Sequence, residues 1–291
     1  TLLGKKVDAA YFSALYTARK KFFNKTYVNP ESGETTFRGK VNDTQTSYAL
    51  PLAFGIIQLE NVQKAADNLV ATVSRENKAD DETVCPPYSL MTGFIGTAWI
   101  SKALSSTGHS DVAYRLLQQT SYPSWLYPVE QGATTIWERL NSYTPVNGFG
   151  GNNSMNSFNH YSFGAVGAWM YNYSLGIERD EQSPGFNHFI LQPEPDPTGQ
   201  MTFAKGYYDS MYGRIESSWE QNSDGCHYRF VVPANSSATL KLKALSLSDI
   251  TADGKQLKSV VGGKYSGVKH GKYTFELQSG MYEIQVKKGT N

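Results

Sequence analysis

A chain of 291 residues with a formal charge of +1 and 18% charged residues has no field that would draw nucleic acid or an anionic membrane surface. It is long enough for two domains of ordinary size, and no window approaches the roughly 18 consecutive apolar residues of a spanning helix. The N-terminus lacks a charged-then-apolar targeting pattern, which leaves periplasm, export and cytosol all open.

From Lys5 to about Glu178 the sequence predicts helices joined by long, polar, aromatic-rich loops. Val7, Ala10, Tyr11, Ala14, Leu15 and Ala18 recur at helical spacing and carry a first helix to the Phe22-Phe23 pair. Thr44 is placed to cap the next, Gln45 to Leu50, which Pro51 should kink or confine to one side. A third fits Glu60 to Arg75, where Val62, Ala65, Ala66, Leu69 and Val73 make one apolar stripe. Further helices are expected from Gly93 to Leu104, Ser110 to Gln119 and Tyr161 to Leu175. Two of these about six helices, around Phe94 to Ile100 and Phe163 to Met170, are nearly all apolar or small, as an inner ring would be. Leu59 to Arg75 and Asp111 to Gln119 keep a polar face and suit an outer ring. Alternating rings describe an α/α toroid, and about half the helices of a closed ring are present, so the chain is expected to begin in mid-domain.

Past Arg179, Pro184, Pro193, Pro195 and Pro197 mark a connector, after which short β-like runs alternate with turns. The runs are Arg214 to Trp219, His227 to Val232, Ala238 to Leu242, Tyr273 to Leu277 and Tyr282 to Val286, with turns at Asp224-Gly225, Asp253-Gly254, Gly262-Gly263 and Ser279-Gly280. The expected fold is therefore α+β and multidomain: a partial α/α toroid over residues 1–180, then an antiparallel β-sandwich over 181–291. Cys85 and Cys226 fall in different domains, so a structural disulfide is not expected. Asn-X-Ser/Thr triplets begin at Asn24, Asn42, Asn152, Asn172 and Asn235, and in Asn- and Ser-rich sequence they carry little weight.

The densest run of chemically useful residues lies between Tyr122 and Tyr161. A glycosidase needs a positioned carboxylate, because its transition state carries positive charge on the sugar ring and water must be deprotonated. Glu138 supplies one, flanked by Trp137, which can cover an apolar sugar face, and Arg139, which can hold a carboxylate or hydroxyl. Taken singly, a Glu is more often a solvated charge, Trp125 and Trp137 more often core, and His160 more often a cap. No His/Cys/Asp/Glu cluster has metal-ligand spacing, so neither metal nor cofactor is expected.

Gly132-Ala133-Thr134-Thr135-Ile136-Trp137-Glu138-Arg139 and Met155-Asn156-Ser157-Phe158-Asn159-His160-Tyr161 resemble two hallmark segments of the α-L-rhamnosidase family, in that family's order and at similar spacing. Thr44-Gln45-Thr46, Thr92-Gly93-Phe94-Ile95-Gly96-Thr97, Ala113 to Leu117, Tyr122-Pro123-Ser124-Trp125-Leu126-Tyr127, Ala204-Lys205-Gly206 and Tyr212 to Trp219 add to the likeness. The resemblance implies a six-fold α/α toroid, a C-terminal β-sandwich and inverting hydrolysis of terminal α-linked L-rhamnose from a glycoside or polysaccharide. It assigns Glu138 as general base and His160 as a sugar contact, with Trp137, Trp125 and Arg139 as further substrate-binding candidates. The family's acid, a Glu in an Asp-Glu-Arg-rich loop followed by Gly-Trp, has no counterpart here, so this chain is expected to be inactive alone and to need the missing N-terminal half of the catalytic domain. Leu140 and Ala168 stand where family members usually carry Trp and often Glu. The alternatives are a non-catalytic carbohydrate-binding or structural protein, or a toroid glycosidase for another sugar.

Overall fold

The computed structural model describes residues 3–79, 82–150, 156–252, 254–256, 262–269 and 271–288. The triplet at Asn152, the first residue of the Met155 to Tyr161 segment and Asp253 of the expected Asp253-Gly254 turn lie outside them. The chain divides into two compact units, Thr1–Val166 and Gly167–Asn291.

The first unit opens with helix α1, Lys6–Tyr27. This helix is held by polar side chains, although its sequence is rich in apolar ones. Tyr16 and Lys20 donate to the Gly55 carbonyl at 2.8 Å each, while Asn24 donates to Ile56 O at 2.8 Å and accepts from Gln58 N–H at 2.9 Å. A hairpin follows, β1 (Thr36–Phe37) and β2 (Lys40–Val41). Its two-residue turn, Arg38 and Gly39 at φ 52° and 74°, has the left-handed backbone that matches strand twist.

Helix α2, Gln45–Ala53, starts where Thr44 was expected to cap it. The Thr44 hydroxyl accepts from Ser47 N–H at 3.2 Å, and Ser47 Oγ accepts in return from Thr44 N–H at 3.3 Å. Pro51 sits inside the last turn, and the helix stops two residues later, as a residue with no N–H for the Ser47 carbonyl requires. Helix α3, Leu59–Ser74, buries Ala65, Ala66, Leu69 and Val73 along the predicted stripe. The hairpin of β3 (Asn77–Lys78) and β4 (Val84–Cys85) leads to α4, Gly93–Ser106, and α5, Ser110–Gln118. The apolar α4 is covered on only part of its circumference: Ile100, Ala103 and Leu104 are fully buried, yet Ile95 is 71% exposed. A short helix α6, Leu126–Glu130, was not expected, because five residues including Pro128 are too few to show a period. The single helix expected from Tyr161 to Leu175 is instead a 3₁₀ turn (Ser162–Ala165), an α turn (Val166–Trp169) and a π turn (Met170–Ser174). Gly164 and Gly167 weaken regular helix there.

The second unit is built from β5 (Ile177–Arg179), β6 (His188–Leu191), β7 (Phe203–Ser210), β8 (Gly213–Asn222), β9 (Gly225–Val232), β10 (Ser237–Leu242), β11 (Ile250–Ala252), β12 (Lys255–Gln256), β13 (Gly263–Lys269), β14 (Lys272–Leu277) and β15 (Gly280–Lys287). One sheet has the order β13-β14-β10-β6-β5 and the other β12-β11-β15-β9-β8-β7. All pairings are antiparallel except β10 with β6, which is parallel and departs from the purely antiparallel sandwich expected. Phe189, Leu191, Leu240 and Phe275 from the first sheet share one core with Ile215, Trp219, Phe230 and Ile284 from the second. Gly176 enters β5 at φ 74°, and a Cβ there would meet the Pro193 backbone nitrogen at 2.0 Å, so no other residue fits that approach.

Phe275 is fully buried between its neighbours. Its replacement by Ala should remove about 3–5 kcal/mol of stability, the usual cost of emptying an aromatic core site, read as a fall in the denaturant midpoint of the β-sandwich transition.

Candidate active site

The segment from Gln131 to Tyr161 contains no regular element among its described residues apart from short turns, yet its two ends are clasped together. Glu138 N–H donates to Ser157 O at 2.8 Å and His160 N–H to Ile136 O at 2.8 Å. The Thr135 hydroxyl donates to Phe158 O. The clasp closes through a side chain: Ser157 N–H donates to Glu138 Oε2 at 2.7 Å. This bond gives Glu138 Oε2 a fixed backbone partner. Buried Ser142 adds a second tie, donating to Asn156 Oδ1 at 2.6 Å.

Glu138 is half-buried on the wall of a cleft of about 570 Å³, whose lining includes Leu90, Met91, Phe94, Tyr122, Arg139, Leu140, Asn141 and Phe163. The part of the lining from Leu90 to Phe94 is positioned from α2. Gln45, 2% exposed, donates to Ser89 O at 2.8 Å and accepts from Met91 N–H at 2.9 Å. Thr46 donates to Thr92 O at 2.8 Å. Helices α2 and α4 meet at Gly96, where a Cβ would lie 2.3 Å from Thr46 Oγ1. Thr97 then bonds Gly93 O at 2.6 Å and Thr92 Oγ1 at 2.7 Å, fixing the start of α4 beside the cleft.

His160 stacks on Phe94, with centroids 4.9 Å apart, and on Tyr161 at 5.2 Å. Its Nδ1 accepts from Ser162 N–H at 3.4 Å. Arg139 is exposed at the rim. The two tryptophans are placed differently. Trp137 is 6% exposed and meets Phe158 edge-on at 5.5 Å, while Trp125 is 9% exposed and donates Nε1–H to Phe163 O at 2.9 Å. Both are buried and absent from the lining of the cleft, with little ring face open to a sugar. Glu138, Arg139 and Leu140 line one cleft together, and His160 joins them through its stack on Phe94. Gln45 and Ser142 went unnoticed in the sequence as cleft-positioning residues, although Gln45 stands in one of the resembling segments. No group of His, Cys, Asp and Glu that could hold a metal occurs among the described residues.

Residues 1–174 match the family described as the bacterial α-L-rhamnosidase six-hairpin glycosidase domain, and residues 176–256 match the bacterial α-L-rhamnosidase C-terminal domain. An α-L-rhamnosidase of Formosa agariphila is 36% identical over 98% of this chain and 29% of its own length. One from Streptomyces avermitilis is 36% identical over 98% of this chain and 25% of its own. The crystal structure of a Streptomyces avermitilis α-L-rhamnosidase complexed with L-rhamnose superimposes with a TM-score of 0.82 at 35% identity, over 99% of this chain and 25% of that one. The α-L-rhamnosidase from Dictyoglumus thermophilum gives 0.79 at 29% identity. The chain thus spans 25–29% of the length of these two curated relatives.

Because Gln45 satisfies two backbone groups, Gln45→Leu should cost about 1–3 kcal/mol for each donor or acceptor left unpaired. Denaturant unfolding of the variant chain reads the loss, and an unchanged midpoint would mean that the wall of the cleft is held by other contacts.

Proposed function

The chain belongs to the bacterial α-L-rhamnosidase family, and from that premise we propose that it carries the general base of an inverting glycoside hydrolase that releases terminal α-linked L-rhamnose. Glu138 is the base. The observation that carries this reading is the Ser157 N–H bond to Glu138 Oε2 at 2.7 Å, which orients a half-buried carboxylate on a cleft of sugar-sized volume. In such a reaction the base takes a proton from a water that attacks the anomeric carbon, while an acid on the opposite face protonates the leaving oxygen. Base and acid stand about 6.5–9.5 Å apart to admit that water. Nε2 of His160 and the Arg139 guanidinium are suited to sugar hydroxyls, while Trp137 and Trp125 are buried and absent from the lining.

Glu138 is the one carboxylate among the described residues lining this cleft, and the acid is taken to come from sequence outside this chain. The exposed apolar side chains of the first unit point the same way: Val7, Tyr11 and Phe12 on α1 are 83%, 63% and 63% exposed, and Leu59 and Ile95 are 87% and 71% exposed. Apolar surface exposed on three helices of one unit supports cover by other protein, and the remaining helices of the toroid are its natural cover.

In the full-length protein Glu138→Gln should lower kcat by about 10² to 10⁴, the usual contribution of a general base, with its unfolding midpoint unchanged. Near-normal turnover would remove Glu138 from the mechanism. The 291-residue chain alone should release no measurable p-nitrophenol from its α-L-rhamnoside. Turnover close to that of the full-length protein, from a compact monomer in sizing chromatography, would place the acid within this chain.

A further inference from the structure

The outward side of the six-stranded sheet carries a second cleft, of about 610 Å³, that the reading of Glu138 does not use. Side chains alternate across a sheet, and the register sets Lys205 opposite Ser218, Tyr207 opposite Glu216, and Arg229 of β9 opposite Ser218. These outward positions converge on the cleft, and Tyr171 of the π turn also lines it.

Its polar groups are held in advance. The Arg214 guanidinium lies 3.8 Å from the centroid of the Tyr207 ring and is bonded to both Asp209 oxygens, at 2.8 and 3.1 Å. Arg229 pairs with Glu216, and with Glu283 at 3.3 Å. Side chains already ordered lose little rotamer freedom when a ligand arrives. Charge decides what kind of ligand this is. Arg214 is balanced by Asp209 and Arg229 is faced by two carboxylates, so with Lys205 the three cations stand against three anions. A polyanion would find no net attraction. Tyr171 and Tyr207, 43% and 50% exposed, offer apolar ring surface between these ionised donors and acceptors. A pyranose has the same two-sided character, with C–H faces that pack on an aromatic ring and hydroxyls that both donate and accept.

We propose that this cleft is a non-catalytic binding site for an uncharged saccharide chain, separate from the cleft of Glu138. The choice of rhamnose as one probe rests on the family reading, but the cleft itself does not. The test titrates the whole 291-residue chain with α-linked L-rhamnotetraose, with cellotetraose as a second neutral sugar and with a heparin tetrasaccharide as a polyanion, followed by calorimetry. Saturable binding of at least one neutral tetraose is expected, insensitive to salt and weakened about tenfold or more by Tyr207→Ala, as loss of a stacking ring and of the stack on Arg214 requires. Tyr207→Phe should keep most of it, and Tyr171→Ala provides a second reading should Tyr207→Ala unfold. Absence of binding by both neutral sugars, or preference for heparin, overturns the proposal. Binding abolished by His160→Ala and indifferent to Tyr207→Ala and Tyr171→Ala also overturns it, while leaving the role of Glu138 standing.

Discussion

The arrangement of the candidate site depends on one reciprocal clasp, in which Glu138 N–H bonds Ser157 O and Ser157 N–H bonds Glu138 Oε2. Without it the loop that carries the carboxylate would have no fixed partner, since no helix or strand among its described residues holds it. Two backbone positions nineteen residues apart are brought together at a cost in loop entropy that grows only slowly with length. The bonds from Thr135 to Phe158, from His160 to Ile136 and from Ser142 to Asn156 spread that cost over several contacts. The clasp also explains why both resembling segments are needed. One supplies the carboxylate and the other the N–H that aims it.

The scaffold around the clasp follows the same logic of polar groups paired inside. Gln45 bonds the chain on both sides of Leu90, and Thr46, Thr92 and Thr97 tie α2 to the start of α4. These bonds hold residues 89–92, two of which line the cleft, against α2.

What was legible in the sequence divides along physical lines. Helix α3 and helix α5 show themselves because one face is apolar and the other is not, and Thr44 shows itself because its hydroxyl has only a local N–H to serve. Five strands of the sandwich, β8, β9, β10, β14 and β15, were legible from alternation and turns, while β5, β6, β7, β11, β12 and β13 were not named from the sequence. The hairpins of β1 with β2 and β3 with β4 have two residues per strand, too few for any period, and α6 has five. The helix expected from Tyr161 to Leu175 has the right composition and the wrong regularity, since hydrophobic spacing cannot tell an α turn from a 3₁₀ or π turn. At the site, the residue types were legible and their directions were not. Trp137 and Trp125, taken singly, read more often as core than as sugar platforms, and both are buried.

Leu140 shows how the same cleft can keep its chemistry and change its shape. It is 7% exposed, and it lines the cleft beside Glu138 and Arg139, where the resembling family usually has a tryptophan. An isobutyl group fills less space than an indole and cannot donate a hydrogen bond, so the wall at that point is lower and purely apolar. The clasp that holds Glu138 runs through backbone groups of residues 136–138 and 157–160, the Thr135 hydroxyl and the Glu138 carboxylate, and no bond in it involves the Leu140 side chain. The Leu140 side chain and the groups that hold the Glu138 carboxylate are therefore different atoms: the carboxylate is held by the Ser157 backbone N–H, a bond that a substitution at Leu140 does not remove.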